Sequence, residues 1–438
     1  MDTIESRPVP AQLRAIFARI DAMRDDMVAL TQALVRIPTV NPPGRFYEDC
    51  AKLIGDRLRG KGFGIEYVNA EGEKSHSTDY PRTNVIARVE GQGAGPCVHF
   101  NSHIDVVEAG NGWTTDPWGA EVKDGRIYGR GTGDMKGGLA ASMIAVEAIL
   151  AEGLKFPGAF EISGTADEES GGWAGVGYLA KKGYFSKDRV QHVIIPEPLN
   201  QDCVCLGHRG VWWAEVETLG RVAHGSMPYL GVNAIRGMGA FIQKVEQKLY
   251  PELDTRTTAM PVIPEGSRRS TLNFNSIHGG QMEPDKEYEG APSPVVADSC
   301  RLILDRRYLI EEDPVDVKRE IVAILDEVKR ERNDFQYKIR DLLEFAPNMT
   351  SSGDPLVKAL DGAIAQVFGK PSTHVVSPGT YDQKHIQRIA HLQSCVAYGP
   401  GILDLAHQPD EYIVIDDMIR SAKVMAAASM ALKGVVTL

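Results

Sequence analysis

The sequence predicts an α/β protein with helices on both faces of its sheet, interrupted by a smaller α+β domain. Three observations carry this expectation. Strand-like and helix-like stretches alternate as far as about Gly210. The rhythm then changes to a two-layer pattern whose strands are expected to be antiparallel, and from Ser351 the α/β alternation returns. Residues 1–210 and 347–438 are therefore read as one domain and 211–346 as an insertion within it.

Each element has its own signal. From Met23 to Ile37 the apolar residues Met27, Leu30 and Leu34 recur at helical spacing. Asn84–Val89 and Pro96–Val107, rich in Val and Ile, predict strands. A helix over Lys136–Leu150, a strand over Gly158–Thr165, a helix over Trp173–Lys182 and a short buried strand over His192–Ile195 follow. In the insertion, Val211–Leu219, Ser270–His278, Ser299–Tyr308 and Phe335–Leu342 read as strands, and Asn233–Leu249 and Asp313–Val328 as helices. Residues 252–269 and 281–294 are Pro-rich and polar and read as long loops. The last part predicts a helix over Pro355–Phe368, a strand over Gln393–Ala397 and a helix over Asp416–Leu432.

Composition narrows the function. The 438 residues carry 48 Lys+Arg against 59 Asp+Glu, a net charge of −11. An acidic chain is a poor partner for nucleic acid or anionic membrane, both of which reward basic surfaces. No apolar run approaches the roughly 18 residues of a membrane span, and the N-terminal text lacks the basic and apolar regions of a signal peptide. The six cysteines, Cys50, Cys97, Cys203, Cys205, Cys300 and Cys395, form no Cys-x-x-Cys pair. A reduced, cytoplasmic protein is expected.

The chemistry-bearing residues sit at turns and strand ends. In His103-Ile104-Asp105 the outer two side chains share a strand face while Ile104 points to the core. A carboxylate beside a histidine can fix the tautomer of a metal-ligating imidazole, although such a pair alone more often just closes a strand. The glycine-rich run from Gly129 to Gly138 suggests a phosphate loop, but no Gly-Lys-Ser/Thr follows and Asp134 sits where bare amides are wanted. A tight turn presenting Asp134 to a cleft fits better, with a helix-capping aspartate as the plainer alternative. Asp167-Glu168-Glu169 follows a strand, where open α/β sheets place ligands, though an acidic run is usually a solvated loop. Flanking prolines fix the direction of Glu197, and His407 follows a Gly-Pro-Gly turn. Two histidines, three carboxylates and a spare glutamate suit zinc, cobalt or manganese in a two-metal hydrolytic site.

At these residues the sequence resembles the acetylornithine deacetylase / succinyl-diaminopimelate desuccinylase family. These are dizinc amidohydrolases related to aminoacylases and glutamate-releasing carboxypeptidases. The resemblance runs from Pro38-Thr39-Val40-Asn41-Pro42-Pro43 to the His407 segment. It implies a zinc-aminopeptidase-like catalytic domain, a dimerisation or lid domain at 211–346, and a homodimer. It implies two divalent metal ions, zinc with cobalt or manganese able to substitute: His103 and Glu197 on one, Glu169 and His407 on the other, Asp134 bridging. Asp105 would orient His103, and Glu168 would be the general base toward a metal-bridging water. His224 matches the histidine that one subunit lends to the other's site, and Arg307 the arginine that meets the substrate carboxylate. Asn273 and the loop Gly379-Thr380-Tyr381-Asp382 fall where the family lines its pocket.

The implied activity is hydrolysis of the amide of a small N-acyl amino acid. Desuccinylases carry Arg-Arg-Gly-Ser and a Tyr soon after the lent histidine. Here the text is His208-Arg209-Gly210-Val211, with Met227 at the Tyr place, and Gly231-Val232-Asn233-Ala234-Ile235 reads more like the acetylornithine branch. Trp212-Trp213 reads as strand packing or as an aromatic wall for a larger acyl group. The competing functions are a dipeptidase or carboxypeptidase of the same clan and a catalytically silent binding protein. A serine hydrolase is disfavoured, because no Gly-x-Ser-x-Gly elbow occurs.

Overall fold

A computed structural model describes residues 9–280 and 294–438. The chain packs as two units. The larger comprises Met1–Gly207, Met349–Val375 and Tyr381–Leu438; the smaller, His208–Asn348 and Val376–Thr380. The short stretch 376–380 thus packs with the smaller unit although its neighbours on both sides belong to the larger.

The larger unit is built on a mixed sheet. Its strand order begins Gly64–Asn69, Thr83–Glu90, Ala159–Thr165, Cys97–His103, His192–Ile195, Cys395–Ala397, Cys203–His208. The middle is parallel: Cys97–His103 pairs in parallel with Ala159–Thr165 and with His192–Ile195, which pairs in parallel with Cys395–Ala397. All residues of the first two strands are buried, so both sheet faces are covered, as parallel strands require. The helix Gly137–Ala151 packs on these strands and against the helix Ile415–Leu432. It is buried nearly all round, which explains the Gly-Gly at its start: a Cβ on Gly138 would lie 2.0 Å from the Pro196 carbonyl.

The smaller unit is a four-stranded antiparallel sheet in the order Thr271–Gly279, Ser299–Tyr308, Gly210–Leu219, Gln336–Phe345. Alternate residues of the third strand, Trp212, Ala214 and Val216, pack with Met238 and Phe241 of the helix Ala234–Lys244 and with Val317, Ile321 and Leu325 of the helix Pro314–Glu331. Asn233 and Asp313 cap these helices, accepting from the amides of Arg236 and Val315.

Three expectations are corrected. The helix over Trp173–Lys182 is regular only at Tyr178–Lys181, since Gly175 breaks the preceding turn and a Cβ there would lie 1.9 Å from the Ala166 carbonyl. The helix from Asn233 runs on through a widened turn at Val245–Leu249 to Tyr250–Leu253. The expected loop at 252–269 contains a short helical turn, Glu265–Arg268. The expected loop at 281–294 lies, apart from its last residue, outside the described residues. Several elements were not anticipated, including Ala11–Ala22, Tyr47–Arg59 and Gln383–Ile389. No helix among the described residues is long and apolar enough to cross a membrane.

Candidate metal centre

The carboxyl ends of the parallel strands deliver the site, the place where open α/β sheets bind ligands. His103 ends its strand, Glu168 and Glu169 follow Ala159–Thr165 in a single helical turn, and Glu197 follows His192–Ile195. Asp134 lies in the wide turn Thr132–Lys136, and His407 follows the turn Leu403–Leu405 with a left-handed backbone.

These side chains converge. His103 Nε2 is 3.0 Å from Asp134 Oδ1, and His407 Nε2 is 3.5 Å from Asp134 Oδ2. One carboxylate therefore presents its two oxygens to two imidazoles. His407 Nε2 is 3.1 Å from Glu169, and His103 Nε2 is 3.9 Å from Glu197. Ligand atoms of His103, Asp134 and Glu169 lie within 4.8 Å of one another.

The electrostatics fit divalent cations. Burial, then the charge of Asp134, pushes Glu197 well above the usual carboxylate range. Burial also raises Glu169, to about 7, with the Asp134 charge adding to it. The hydrogen bond to Glu169 raises His407 to about 9. Burial opposes protonation of His103, but Asp134 and Glu197 outweigh it and raise that ring too. Carboxylates crowded into one buried site repel each other and draw protons onto the imidazoles; bound cations relieve the same repulsion. Imidazole nitrogen and carboxylate oxygen without thiolate is a donor set suited to zinc, cobalt or manganese.

The supports are less obvious. His103 Nδ1 is 3.0 Å from the main-chain oxygen of Asp105 and 3.7 Å from its carboxylate. The Asp105 carboxylate instead accepts the amides of Glu168 and Glu169, both at 3.1 Å, and the Asn41 side chain at 3.0 Å. It thus holds the loop of the two glutamates as well as lying beside the histidine. Glu411, buried, accepts the amides of Gly133 and Asp134 at 2.8 and 3.1 Å and pairs with Arg130 at 2.6 Å. Lys384 lies 2.5 Å from Glu168. The sequence reading assigned no role to Glu411 or Lys384. Glu411 stands four residues after His407, a spacing that in retrospect marks one loop carrying both.

The other candidate residues belong to the smaller unit. Arg307 pairs with Asp305 at 2.7 Å, and its guanidinium carbon is 6.0 Å from the Trp213 ring. Asn273, Asp305 and Trp213 are in register on adjacent strands, so Arg307 shares their face, opposite the core side occupied by Trp212. The tandem tryptophans therefore divide: Trp212 packs the core and Trp213 stands on the face with Arg307 and Asn273. His224 is exposed, and its Nδ1 accepts from Ser226 Oγ at 2.7 Å and Ser226 N at 3.1 Å. Gly379 donates its amide to Ser377 Oγ at 3.2 Å, and Thr380 follows it.

Residues 99–431 match the sequence profile of peptidase family M20/M25/M40. A succinyl-diaminopimelate desuccinylase of Methylobacterium radiotolerans is 29% identical over 405 residues, 90% of this chain and 94% of that protein. That of Dechloromonas aromatica is 28% identical over 402 residues, covering 90% and 95%. Among solved structures, human carnosine dipeptidase 1 superposes with a TM-score of 0.77 at 22% identity, covering 98% of this chain and 100% of that one. A Bacillus subtilis protein described as a dinuclear metal binding peptidase of the M20 family superposes with a TM-score of 0.66 at 14% identity, covering 95% and 100%. Profile, relatives and fold agree: the chain belongs to peptidase family M20/M25/M40 and is a metal-dependent amidohydrolase acting on linear amides.

Proposed function

We propose that the chain hydrolyses the amide bond of an N-acyl amino acid. In this reading His103 and Glu197 hold one divalent ion, Glu169 and His407 a second, and Asp134 is shared, with zinc the resident metal. The observation that carries it is the pair of imidazole nitrogens facing opposite oxygens of Asp134. When bound, the ions supply carbonyl polarisation and acidify a water. Glu168 takes the proton of the attacking water and passes it to the departing amine. In the same reading Arg307 meets the α-carboxylate of the substrate, and Asn273, Gly379 and Thr380 are assigned to substrate binding. His224, exposed on its own subunit, serves a second copy of the chain, where its imidazole donates to the developing oxyanion. All six cysteines are buried and none is in a disulfide, which supports a reduced, cytoplasmic setting.

The residues at 208–211 and Met227 favour acetyl over succinyl groups. Desuccinylation is the second reading, favoured by the names of the relatives at 28–29% identity. One panel of N-acetyl, N-succinyl, N-formyl and N-aroyl amino acids with dipeptides, assayed with zinc or cobalt, decides. N-acyl amino acids should be cleaved in preference, and a chelator should abolish cleavage. Preference for dipeptides would replace this reading with a peptidase one. Glu168→Gln should keep its metal and lose at least about 10²-fold in kcat; loss of metal instead would place Glu168 among the ligands.

A further inference from the structure

The helix Gln383–Ile389 touches the loop that carries Glu168 at two points. Lys384 Nζ is 2.5 Å from Glu168 Oε1, and His385 Nε2 is 2.7 Å from the Gly171 carbonyl. The His385 ring also packs edge-on against Trp173, which follows the same loop. The start of the helix is tied to the sheet: Asp382 accepts from Asn101 Nδ2 at 3.0 Å and from Thr165 Oγ1 at 3.4 Å. Asn101 and Thr165 lie on the parallel strands that end at His103 and lead to Glu168. Sheet, helix and glutamate loop therefore form a closed circuit, with the ion pair as one of its links.

The Lys384 side chain is 2% exposed and that of Glu168 11%. A buried ammonium is costly unless it is paired, and a Lys–carboxylate contact in such a place restricts the carboxylate to one orientation. With Oε1 engaged by the ammonium, Oε2 is the oxygen left to take a proton. We propose that Lys384 is a positioning residue for Glu168, clamping Oε1 so that Oε2 is aimed at the attacking water. The proposal rests on the reading of Glu168 as the general base. Lys384 acts through Glu168 and neither holds metal nor meets substrate.

The test is a double-mutant cycle on the metal-loaded enzyme, with metal content and KM as further readouts. Lys384→Met should lower kcat by about 10²-fold, the scale of a misplaced reacting group, with metal content unchanged and KM within about threefold. Lys384→Arg, which keeps a cation at the site, should recover at least about tenfold of that loss. In a Glu168→Gln background Lys384→Met should cost less than about threefold, because the group it positions is already disabled. Equal losses in both backgrounds, a loss confined to KM, or loss of metal would overturn the proposal. Should Lys384→Met fail to fold, Lys384→Arg in the wild-type and the Glu168→Gln backgrounds gives the same cycle: its cost in kcat should vanish once Glu168 is Gln, and an equal cost in both would overturn the proposal. Full turnover in Glu168→Gln alone would overturn the base reading instead, and Lys384 with it.

Discussion

Glu411→Gln tests how the proposed metal ligands are held. Glu411 Oε1 accepts the amides of Gly133 and Asp134, and its other oxygen pairs with Arg130 at 2.6 Å. Arg130 in turn donates to the main-chain carbonyls of His407 and Gln408, at 3.3 and 3.2 Å. A residue of the Asp134 loop and one of the His407 loop thus each grip the main chain of the other. Glutamine keeps the shape of Glu411. With its oxygen on the two amides, however, its NH2 group faces Arg130, donor against donor, and a guanidinium only 2% exposed loses its counter-charge. Removing one partner of a buried ion pair costs about 3–5 kcal/mol. Loosening supports behind metal ligands typically costs roughly 10–100-fold in metal affinity. Thermal melting of the apo-protein should report the first loss, and competition titration against a chromophoric chelator the second. Adding Arg130→Met removes the unpaired charge. It should restore much of the melting temperature but not the affinity, because the His407 carbonyl then loses its Arg130 donor. A Glu411→Gln protein that melts with wild type and binds metal equally well would refute the reasoning.

Three further outcomes follow from the same structure. Asp105→Ala strips the acceptor from the amides of Glu168 and Glu169; metal affinity should fall by roughly tenfold or more and kcat should fall with it, and wild-type values for both would make those contacts immaterial. Glu161 is buried; burial raises its carboxyl, but His99 and then Arg189 outweigh it and hold the pKa at about 2. Depression from 4.5 is worth about 3 kcal/mol while ionised, present above about pH 4.5 and lost as pH falls toward 2, so the melting gap between wild type and Glu161→Gln should be full at pH 7 and narrow in acid; a gap constant down to pH 3 would contradict this. Mixing inactive His224→Ala with inactive Glu168→Ala should restore about a quarter of wild-type activity if His224 is lent across a two-fold dimer; no recovery despite demonstrated subunit exchange would confine His224 to its own chain.

Much of this protein was legible from sequence because local chemistry leaves local signatures. Alternation of Val/Ile-rich strands with apolar-periodic helices marked the parallel sheet, and period-2 patterning marked the strands of the smaller unit. His103, Asp134, Glu169, Glu197 and His407 each stood at a strand end or glycine-rich turn, where such residue types have no packing purpose, and the structure brings the five together. Only the tertiary structure assigned the supports. Lys384 meets Glu168 across more than two hundred residues, and Glu411 meets Asp134 across a similar span. Contacts at that separation have no period to read. The helix that presents Lys384 was itself illegible: Gln383, Lys384, His385, Ile386 and Gln387 are all buried, so it shows no polar face. Asp105 shows the same division. Its place beside His103 is written in the chain, but the direction of its hydrogen bonds, toward the glutamate amides, was decided by where a neighbouring strand brings its loop.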